Sequence, residues 1–304
     1  MYNDLFTIGS LTIHGYGLMI ALGLILALAL SDVRAKRKGL STDAVESMVL
    51  IAIITGFLGA KLLYIIVHFG DFLASPMSVI GSEGFVAYGG IIFGTFCVWA
   101  YNRRKGLPFL RYFDLLMPAV ALGQGFGRLG CFLAGCCYGS PTDSALGVVF
   151  PEGSMAPAGI KLWPAQLFSA GGDFVICVIL LCLSRKKRRS GLVGTAYLLL
   201  YAVGRFVVEF FRSDARGTVG ALSTSQFISI LILIFALGLL VALKKRPEAE
   251  TTADEAEEAA DTGSELSAEP AASAEADGEP LPSEPERTEE SAEPVDAEPS
   301  QPGE

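Results

Sequence analysis

Long apolar stretches alternate with short polar segments along most of the chain. Seven of these stretches approach the roughly 20 apolar residues that a helix needs to cross the hydrocarbon core of a membrane. They occupy residues 14–32, 46–69, 84–102, 113–130, 170–184, 192–211 and 222–243. The fourth is rich in glycine and the fifth is short, so their boundaries are the least sharply defined. The pattern predicts an all-α polytopic membrane protein with about seven transmembrane helices.

Basic residues cluster at every second junction between these stretches. The clusters follow the first, third, fifth and seventh stretches and consist of Arg34, Lys36, Arg37, Lys38, Arg103, Arg104, Lys105, Arg111, Arg185, Lys186, Lys187, Arg188, Arg189, Lys244, Lys245 and Arg246. All of them fall on one side of a seven-helix arrangement, and the positive-inside rule makes that side cytoplasmic. A six-helix arrangement puts one cluster on the opposite side. We therefore expect the amino terminus outside and the carboxyl terminus in the cytoplasm.

The charge of the chain divides at Pro247. Residues 247–304 hold 20 of the 32 acidic residues and one of the 23 basic residues, a net charge of −19, whereas the preceding residues carry +10. The acidic segment is rich in Glu, Ala, Pro and Ser and has too few apolar side chains to offset the entropy of ordering it. We interpret residues 1–246 as a membrane domain and residues 247–304 as a disordered cytoplasmic tail. Docking of a basic partner is the alternative role for the tail.

Three predicted helices carry polar side chains that a membrane disfavours. A charged side chain at the centre of a bilayer costs about 2.5–3.5 kcal/mol on insertion scales, so such groups usually face a partner or a cavity. The second helix carries Lys61 and Tyr64, and the fourth carries Arg128 after a glycine-rich run. The sixth carries a stripe at i,i+4 spacing, which consists of Tyr197, Tyr201, Arg205 and Glu209.

The stripe and Arg128 each admit a structural and a functional interpretation. Arg205 and Glu209 form either an intrahelical ion pair that ties the helices together or part of the lining of a polar cavity. Arg128 either extends to the outer headgroups or faces that cavity. Arg212 stands near the outer end of the stripe. The three arginines predict a phosphate site, because the planar guanidinium pairs with phosphate through two hydrogen bonds.

Half of the six cysteines, Cys131, Cys136 and Cys137, lie in the segment that follows Arg128. Their spacing lacks the paired C-x-x-C of a zinc site and the chain has only two histidines, so we expect no metal site and no cofactor. A structural role, a disulfide and a catalytic thiol all stay open for this group. The other cysteines lie in apolar stretches and are interpreted as small core residues; they are Cys97, Cys177 and Cys182.

Several different short motifs are spread over most of residues 8–243. They are Ile13-His-Gly-Tyr-Gly-Leu-Met19, Gly59-Ala-Lys-Leu-Leu-Tyr64, Ala87-Tyr-Gly-Gly90, Asp114 before Pro118, Gly127-Arg-Leu-Gly130 leading to Tyr138-Gly139, Pro164-Ala-Gln-Leu167 and Tyr201-Ala-Val-Gly-Arg-Phe-Val-Val-Glu-Phe-Phe-Arg212. Their order, spacing and seven-helix frame resemble those of bacterial phosphatidylglycerol–prolipoprotein diacylglyceryl transferases. Enzymes of that family move the diacylglyceryl group of phosphatidylglycerol onto the thiol of the lipobox cysteine in a prolipoprotein, forming a thioether and releasing glycerol phosphate.

The resemblance implies roles for the residues singled out above. Arg128 and Arg205 hold the lipid phosphate and stabilise charge on the leaving group, Glu209 orients Arg205, and Tyr88 completes the implied catalytic set. The implied substrate-binding residues are Tyr16, Lys61, Tyr64, Cys131, Gly139, Tyr201 and Arg212. The implied partners are phosphatidylglycerol, membrane lipid and the prolipoprotein signal peptide, with no nucleic acid. The implied location is the inner or plasma membrane of a bacterial cell.

The sequence departs from the family's pattern at several polar positions. Tyr88 stands where the family has a histidine, and a tyrosine with an unperturbed pKa of about 10 is a poor base at neutral pH. The other departures are Cys131 for asparagine, Cys136 and Ser169 for glutamate, Trp163 for histidine and Lys61 for arginine. Either the acceptor thiol is deprotonated otherwise, for instance by a Tyr88 tuned by a neighbouring arginine, or the chain has a changed task.

Two alternatives to lipoprotein diacylglyceryl transfer follow from these departures. One is an enzyme that acts on phospholipid headgroups on the same scaffold with a different acceptor, which the altered outer segment favours. The other is a lipid transporter or lipid-binding protein without chemistry. Against the second, the chain shows neither an internal repeat nor a pair of interrupted helices of the kind that transporters have.

Overall fold

The computed structural model describes residues 4–8, 11–82, 84–186, 188–213 and 217–245. Within these ranges the chain forms nine α-helices. They are α1 Gly15–Lys38, α2 Thr42–Val67, α3 Phe69–Ala74, α4 Pro76–Gly81, α5 Ala87–Lys105, α6 Phe109–Ala134, α7 Ala165–Leu183, α8 Leu192–Val208 and α9 Thr224–Lys245. A 3₁₀ turn at Glu209–Phe211 continues α8.

Six of these helices are long and apolar enough to cross a membrane, namely α1, α2, α6, α7, α8 with its 3₁₀ turn, and α9. This confirms the predicted polytopic helical membrane fold. The remaining long helix, α5, coincides with the predicted stretch 84–102, but its last turn is polar, with Asn102, Arg103, Arg104 and Lys105. The count of seven spans and the direction of the chain across the membrane stay predictions.

Several helices extend beyond the apolar stretches that predicted them. Helix α1 continues from residue 32 to Lys38, and α6 begins before residue 113 and ends after residue 130. The hydropathy pattern marks only the apolar part of a helix. The polar turns at its ends belong to the same helix, which ends only where the backbone conformation changes. Gly39, Gly106 and Gly135 end α1, α5 and α6 in the left-handed conformation that glycine adopts without strain.

Three small antiparallel sheets, which the sequence pattern did not predict, lie outside the helices, and the last of them includes the first two residues of the predicted stretch 222–243. β1 (Asp4–Ile8) pairs with β2 (Leu11–His14), β3 (Val148–Val149) with β4 (Lys161–Leu162), and β5 (Thr218–Val219) with β6 (Leu222–Ser223). Phe150 and Leu162 are buried in a small core against Phe132 of α6. The segment between α6 and α7 is therefore a folded cap, which we call the capping segment (residues 135–164).

Helices α2 and α5 pack with their backbones in close contact. A Cβ added at Gly59 would lie 2.6 Å from the carbonyl oxygen of Gly89, and one added at Gly89 would lie 2.3 Å from that of Gly59. Small residues that let backbones approach are typical of helix interfaces in membranes. This close backbone contact packs α5 against α2, although the last turn of α5 is polar.

A buried polar junction joins α6 to the start of α8. The carboxylate of Asp114 accepts hydrogen bonds from the backbone N–H groups of Gly191 and Gly194, both at 2.7 Å. The first N–H groups of a helix have no partner within the helix, and the helix dipole favours a negative charge beside them. Asp114 therefore acts as the cap of α8 from a neighbouring helix.

Arg34 extends this junction to α1 and α7. Its guanidinium donates to two backbone carbonyls of α6 at 3.1 Å and to Ser184 Oγ, just after α7, at 2.9 Å. Arg189 similarly donates to the carbonyl of Lys244 at the end of α9, at 2.9 Å. These contacts gather the basic ends of the helices at one end of the bundle, an arrangement that the positive-inside rule requires.

The acidic tail lies outside the described residues, as do Lys187 and Arg246 of the basic clusters. The division of the chain into a membrane domain of residues 1–246 and a disordered tail of residues 247–304 therefore stays a prediction.

Replacement of Asp114 by Ala should destabilise the protein, because the N–H groups of Gly191 and Gly194 lose a buried acceptor. A hydrogen bond to a charged group contributes about 1.5–3 kcal/mol. We expect a lower midpoint of thermal unfolding in detergent micelles, followed by circular dichroism. Asp71→Ala, at an exposed residue of α3, is the matched control and should keep the wild-type midpoint. An equal loss in both variants would contradict the role assigned to Asp114.

Candidate active site

The predicted polar stripe lies on α8 and its 3₁₀ turn. Arg205 Nη1 is 2.7 Å from Glu209 Oε2, and only 10% and 6% of the two side chains are exposed. Arg205 Nη2 also donates to Ser225 Oγ of α9 at 2.7 Å. The intrahelical ion pair is therefore present, and the bond to Ser225 ties α8 to α9 at the same point.

The ion pair borders a small cavity, about 40 Å³ in volume, between α6, α7 and α8. Arg128, Ser169, Asp173, Tyr201 and Arg205 contribute its polar lining. The structure thus brings together Arg128, Tyr201 and Arg205, which lie on two separate helices. The two interpretations of Arg205 are compatible, since the ion pair orients a guanidinium that lines the cavity.

Asp173 of α7 is a cavity residue that the sequence pattern did not single out. Its side chain is buried, with 7% exposed, and it interacts electrostatically with Arg128 and Arg205. A buried carboxylate that lines the same cavity as two guanidinium groups supplies counter-charge to both. The signal in the sequence was a lone acidic residue within an apolar stretch, because such a charge marks a partner or a cavity.

Arg128 reaches the cavity from the last turns of α6. Glycines around it permit close packing of neighbouring helices: a Cβ added at Gly125 would lie 2.4 Å from the ring of Phe174, and one at Gly130 would lie 3.1 Å from the carbonyl oxygen of Tyr16. In the described part of the chain the Arg128 guanidinium donates no hydrogen bond to another residue. Its donors are therefore open to an anionic ligand.

Four tyrosines surround the arginines. Tyr201 lines the cavity and stacks on Tyr197, with ring centroids 5.7 Å apart, and Tyr197 donates to Gln124 Oε1 at 2.9 Å. This hydrogen bond joins α8 to α6. Tyr88 of α5, at the family's histidine position, interacts electrostatically with Tyr201 but does not line the cavity. Tyr16 of α1 interacts with the cysteine group after Arg128.

Gly139 of the capping segment pairs with Arg212, which follows the 3₁₀ turn of α8. An antiparallel bridge joins them, and the N–H of Gly139 donates to the carbonyl of Trp163 at 2.9 Å. A Cβ at Gly139 would lie 2.4 Å from that oxygen and 2.6 Å from the carbonyl oxygen of Phe211, so only glycine fits. Trp163, at the family's second histidine position, packs its ring against Phe168 and Phe211. An aromatic contact therefore replaces a titratable group here.

Cys131, Cys136 and Cys137 come together where α6 ends. Their Sγ atoms all lie within 4.8 Å of one another, and none of the three forms a disulfide with another described cysteine. A tight turn rather than helical periodicity brings them together, which is why their spacing did not predict the cluster. Gly135 ends the helix at a φ of 71°, and Cys137 has a φ of 60°, a positive value found at no other described residue except glycines.

Hydrogen bonds among these thiols shift the pKa values of Cys136 and Cys137 in opposite directions. Bonds from Cys131 and Cys136, aided by Arg212, hold the pKa of the Cys137 thiol far below its ordinary value. The matching bonds with Cys131 and Cys137, together with burial, raise the pKa of the Cys136 thiol. The three thiols are therefore coupled through hydrogen bonds, and Arg212 interacts with Cys137.

Lys61 and Tyr64 contact the segment that leads into α5. The ammonium of Lys61 donates to the carbonyl of Ser82 at 2.7 Å and lies over the rings of Tyr64 and Phe85, 5.2 and 5.0 Å from their centroids. The ring of Tyr64 packs on Gly84, where any side chain would collide with it. These contacts anchor the residues before Tyr88, and so they position α5.

A second, larger cavity of about 230 Å³ lies at the polar end of α5, where Trp99, Asn102 and Arg103 contribute to its lining. None of the predicted site residues borders it. The smaller cavity is the candidate active site, because two arginines and a carboxylate from three helices converge on it in the membrane-spanning part of the protein.

Comparisons with known proteins point to one family. A family model described as prolipoprotein diacylglyceryl transferase matches residues 3–242. The chain is 47% identical over 235 residues to the phosphatidylglycerol–prolipoprotein diacylglyceryl transferase of Clostridium tetani, a match that covers 77% of this chain and 94% of that protein. It is 42% identical over 243 residues to transferase 2 of Clostridium perfringens, covering 79% and 95%. It is 32% identical over 246 residues to the transferase of Clostridium botulinum, covering 79% and 96%.

Substitution of Gly139 by Ala should disrupt the capping segment, because the new Cβ meets two carbonyl oxygens at less than 3 Å. Overpacking of this kind costs about 1–3 kcal/mol. We expect a lower unfolding midpoint and faster cleavage of residues 135–164 in limited proteolysis. Gly171→Ala has open space around the added Cβ and should resemble the wild type. Wild-type proteolysis in the Gly139 variant would show that the bridge to Arg212 does not hold the segment.

Proposed function

The chain belongs to the prolipoprotein diacylglyceryl transferase family, and we propose that it transfers the diacylglyceryl group of phosphatidylglycerol to the lipobox cysteine of prolipoproteins. The observation that carries this proposal is the cavity that Arg128 and Arg205 line from two helices, together with the buried carboxylate of Asp173. Members of the family are transferases, which argues against a lipid-binding protein without chemistry.

The proposed reaction breaks one carbon–oxygen bond and forms one carbon–sulfur bond. The acceptor thiol loses its proton and attacks the glyceryl carbon that bears the phosphate. The bond from that carbon to the phosphate oxygen breaks, and glycerol phosphate leaves with the electron pair. Arg128 and Arg205 bind phosphate oxygens and stabilise the charge that grows on the leaving group. Burial strengthens this interaction, because the effective dielectric constant is lower there than in water.

Glu209 and Ser225 act on Arg205 as positioning residues. Each contacts one terminal nitrogen of the guanidinium at 2.7 Å, which fixes its plane before the lipid arrives. Asp173 supplies counter-charge to Arg128 and Arg205 while the cavity holds no phosphate. A preorganised pair of guanidinium groups then needs little rearrangement as the transition state forms.

The tyrosines and the capping segment complete the proposed substrate site. Tyr201 lines the cavity and interacts electrostatically with Tyr88, and Tyr16 interacts electrostatically with the cysteine cluster. Gly139 of the capping segment pairs with Arg212, which follows the 3₁₀ turn of α8. Tyr88 is not assigned as the base, since a phenol with a pKa of about 10 removes a thiol proton poorly at neutral pH.

We place the reaction at the outer leaflet of the bacterial plasma membrane. The basic helix ends gather at one end of the bundle, which the positive-inside rule makes cytoplasmic, and the capping segment lies beyond the other end of α6. Phosphatidylglycerol and the signal peptide of an exported prolipoprotein meet at that outer side. The seven-span arrangement with the amino terminus outside is part of this proposal.

Arg128→Ala and Arg205→Ala should each lower the rate of transfer to a lipobox peptide by about 100-fold or more, the usual effect of removing a group that stabilises transition-state charge. The assay uses purified protein, labelled phosphatidylglycerol and mass spectrometry of the thioether product. Arg104→Ala, at an exposed residue of the basic end, is the matched control and should stay active. Tyr88→Phe should retain most activity, because it removes a hydroxyl and no base.

Two outcomes contradict the proposal. Turnover of phosphatidylglycerol without modification of the peptide would indicate a headgroup enzyme with another acceptor. Full activity in both arginine variants would place the phosphate elsewhere. Expression in cells depleted of their own transferase provides the same test in vivo, since the wild type should restore lipoprotein modification and the arginine variants should not.

Deletion of residues 250–304 should leave transfer activity intact, because the family match ends at residue 242 and the acidic segment lacks the apolar side chains of a folded domain. The measurement compares initial rates of the truncated and full-length proteins at equal concentration in the same vesicles. A large loss in the truncated protein would make the tail part of the working enzyme.

A further inference from the structure

The cysteine cluster at the end of α6 has the geometry of a set of metal ligands. The Sγ atoms of Cys131, Cys136 and Cys137 lie within 4.8 Å of one another. A zinc ion binds thiolate sulfur at about 2.3 Å, so three sulfurs around one ion are about 4 Å apart. Small side-chain rotations are enough to convert the observed cluster into a three-sulfur site.

We propose that Cys131, Cys136 and Cys137 bind one zinc ion and leave its fourth coordination position open for the acceptor thiol. Catalytic zinc sites generally have three protein ligands and one exchangeable position, whereas structural sites have four protein ligands. Binding of the ion releases the three protein S–H protons and forms three zinc–sulfur bonds. The role of the acceptor thiol rests on the proposed function, and the metal site itself does not.

The backbone around the cluster is built to hold this arrangement. Cys137 adopts a left-handed backbone conformation with a φ of 60°. This conformation is strained for any residue other than glycine, and it persists at functional sites where the surrounding structure enforces it. The side-chain amide of Gln166, which is fully buried, donates to the carbonyl of Cys136 at 2.8 Å. Hydrogen bonds of this kind orient metal ligands from outside the coordination sphere.

The charge of the surroundings suits a zinc–thiolate centre. Three thiolates and one Zn²⁺ carry a net charge of −1, which a buried site must compensate. Arg128 interacts electrostatically with Cys131, and Arg212 interacts with Cys137. The two guanidinium groups therefore stabilise the occupied centre.

The open position lies where an acceptor thiol is needed. A thiol that coordinates zinc is deprotonated outright, and its proton passes to solvent. Cys131 follows Arg128 by three residues on α6, a rise of about 4.5 Å along the helix. Cys131 therefore lies about one helical turn beyond the residue whose guanidinium is proposed to bind the phosphate. Coordination to the metal would deprotonate the acceptor thiol, a role for which Tyr88 is a poor base.

The metal part is tested by titrating the full-length protein, reduced and in detergent, with Co²⁺ and Zn²⁺. We expect one ion per chain, a thiolate-to-cobalt charge-transfer band, and displacement of the cobalt by zinc. Cys131→Ser, Cys136→Ser and Cys137→Ser should each weaken binding by about tenfold or more, with the fold checked by circular dichroism. Cys97→Ser, Cys177→Ser and Cys182→Ser are matched controls and should bind like the wild type.

Binding far below one ion per chain in the wild type overturns the metal site, and so does full binding by Cys136→Ser. A disulfide within the cluster, detected as two missing thiols in protein isolated without reductant and resistant to mild reduction, also overturns it. These readouts need no catalytic turnover.

The acceptor part is tested with the cobalt-loaded protein and a lipobox peptide. The peptide should intensify the charge-transfer band, and the same peptide with serine in place of cysteine should not. No response to the cysteine peptide overturns the open position. Transfer at the wild-type rate by metal-free protein overturns the role in catalysis and leaves the proposed function standing. A cobalt response without any transfer supports the site and rejects the proposed function.

Discussion

The contact between Asp114 and the start of α8 sets the register on which the active site depends. Helices α6 and α8 run in the same direction away from this contact. Arg128 follows Asp114 by 14 residues and Arg205 follows Gly191 by 14 residues, so each arginine lies about 21 Å along its helix. Arg128 and Arg205 therefore lie at the same distance from this contact along the two parallel helices. A shift of α8 by one turn would move Arg205 about 5.4 Å away from Arg128 and open the pair.

Much of this arrangement could be predicted from the sequence because a bilayer constrains it strongly. Backbone polar groups in lipid must bond within their own segment, so apolar stretches of sufficient length become helices. The same cost makes Arg128 and Arg205 conspicuous, since arginines are rare in such helices unless they face a partner. The i,i+4 spacing of Arg205 and Glu209 offered, as one of two interpretations, the ion pair that the structure shows.

The remaining features depend on tertiary contacts that a linear pattern does not encode. Two-residue strands such as Val148–Val149 are too short to show alternation, so the sequence pattern does not reveal the small sheets. Asp173 was overlooked because its stretch was judged by length rather than by its one acidic residue. The cysteine cluster depends on the positive φ of Gly135 and Cys137, which no spacing rule anticipates. The polar last turn of α5 leaves its status as a span open to experiment.

The junction at Asp114 also imposes an order on the synthesis of the protein. Gly191 is separated from Asp114 by 77 residues, so the carboxylate emerges from the ribosome well before its partners. At about 5–20 residues per second, the interval is about 4–15 s. During that time the carboxylate keeps contact with water at the membrane surface, because a buried charge without a partner is too costly. The bundle therefore assembles from its amino-terminal half first, and the cavity comes into being only when α8 is in place.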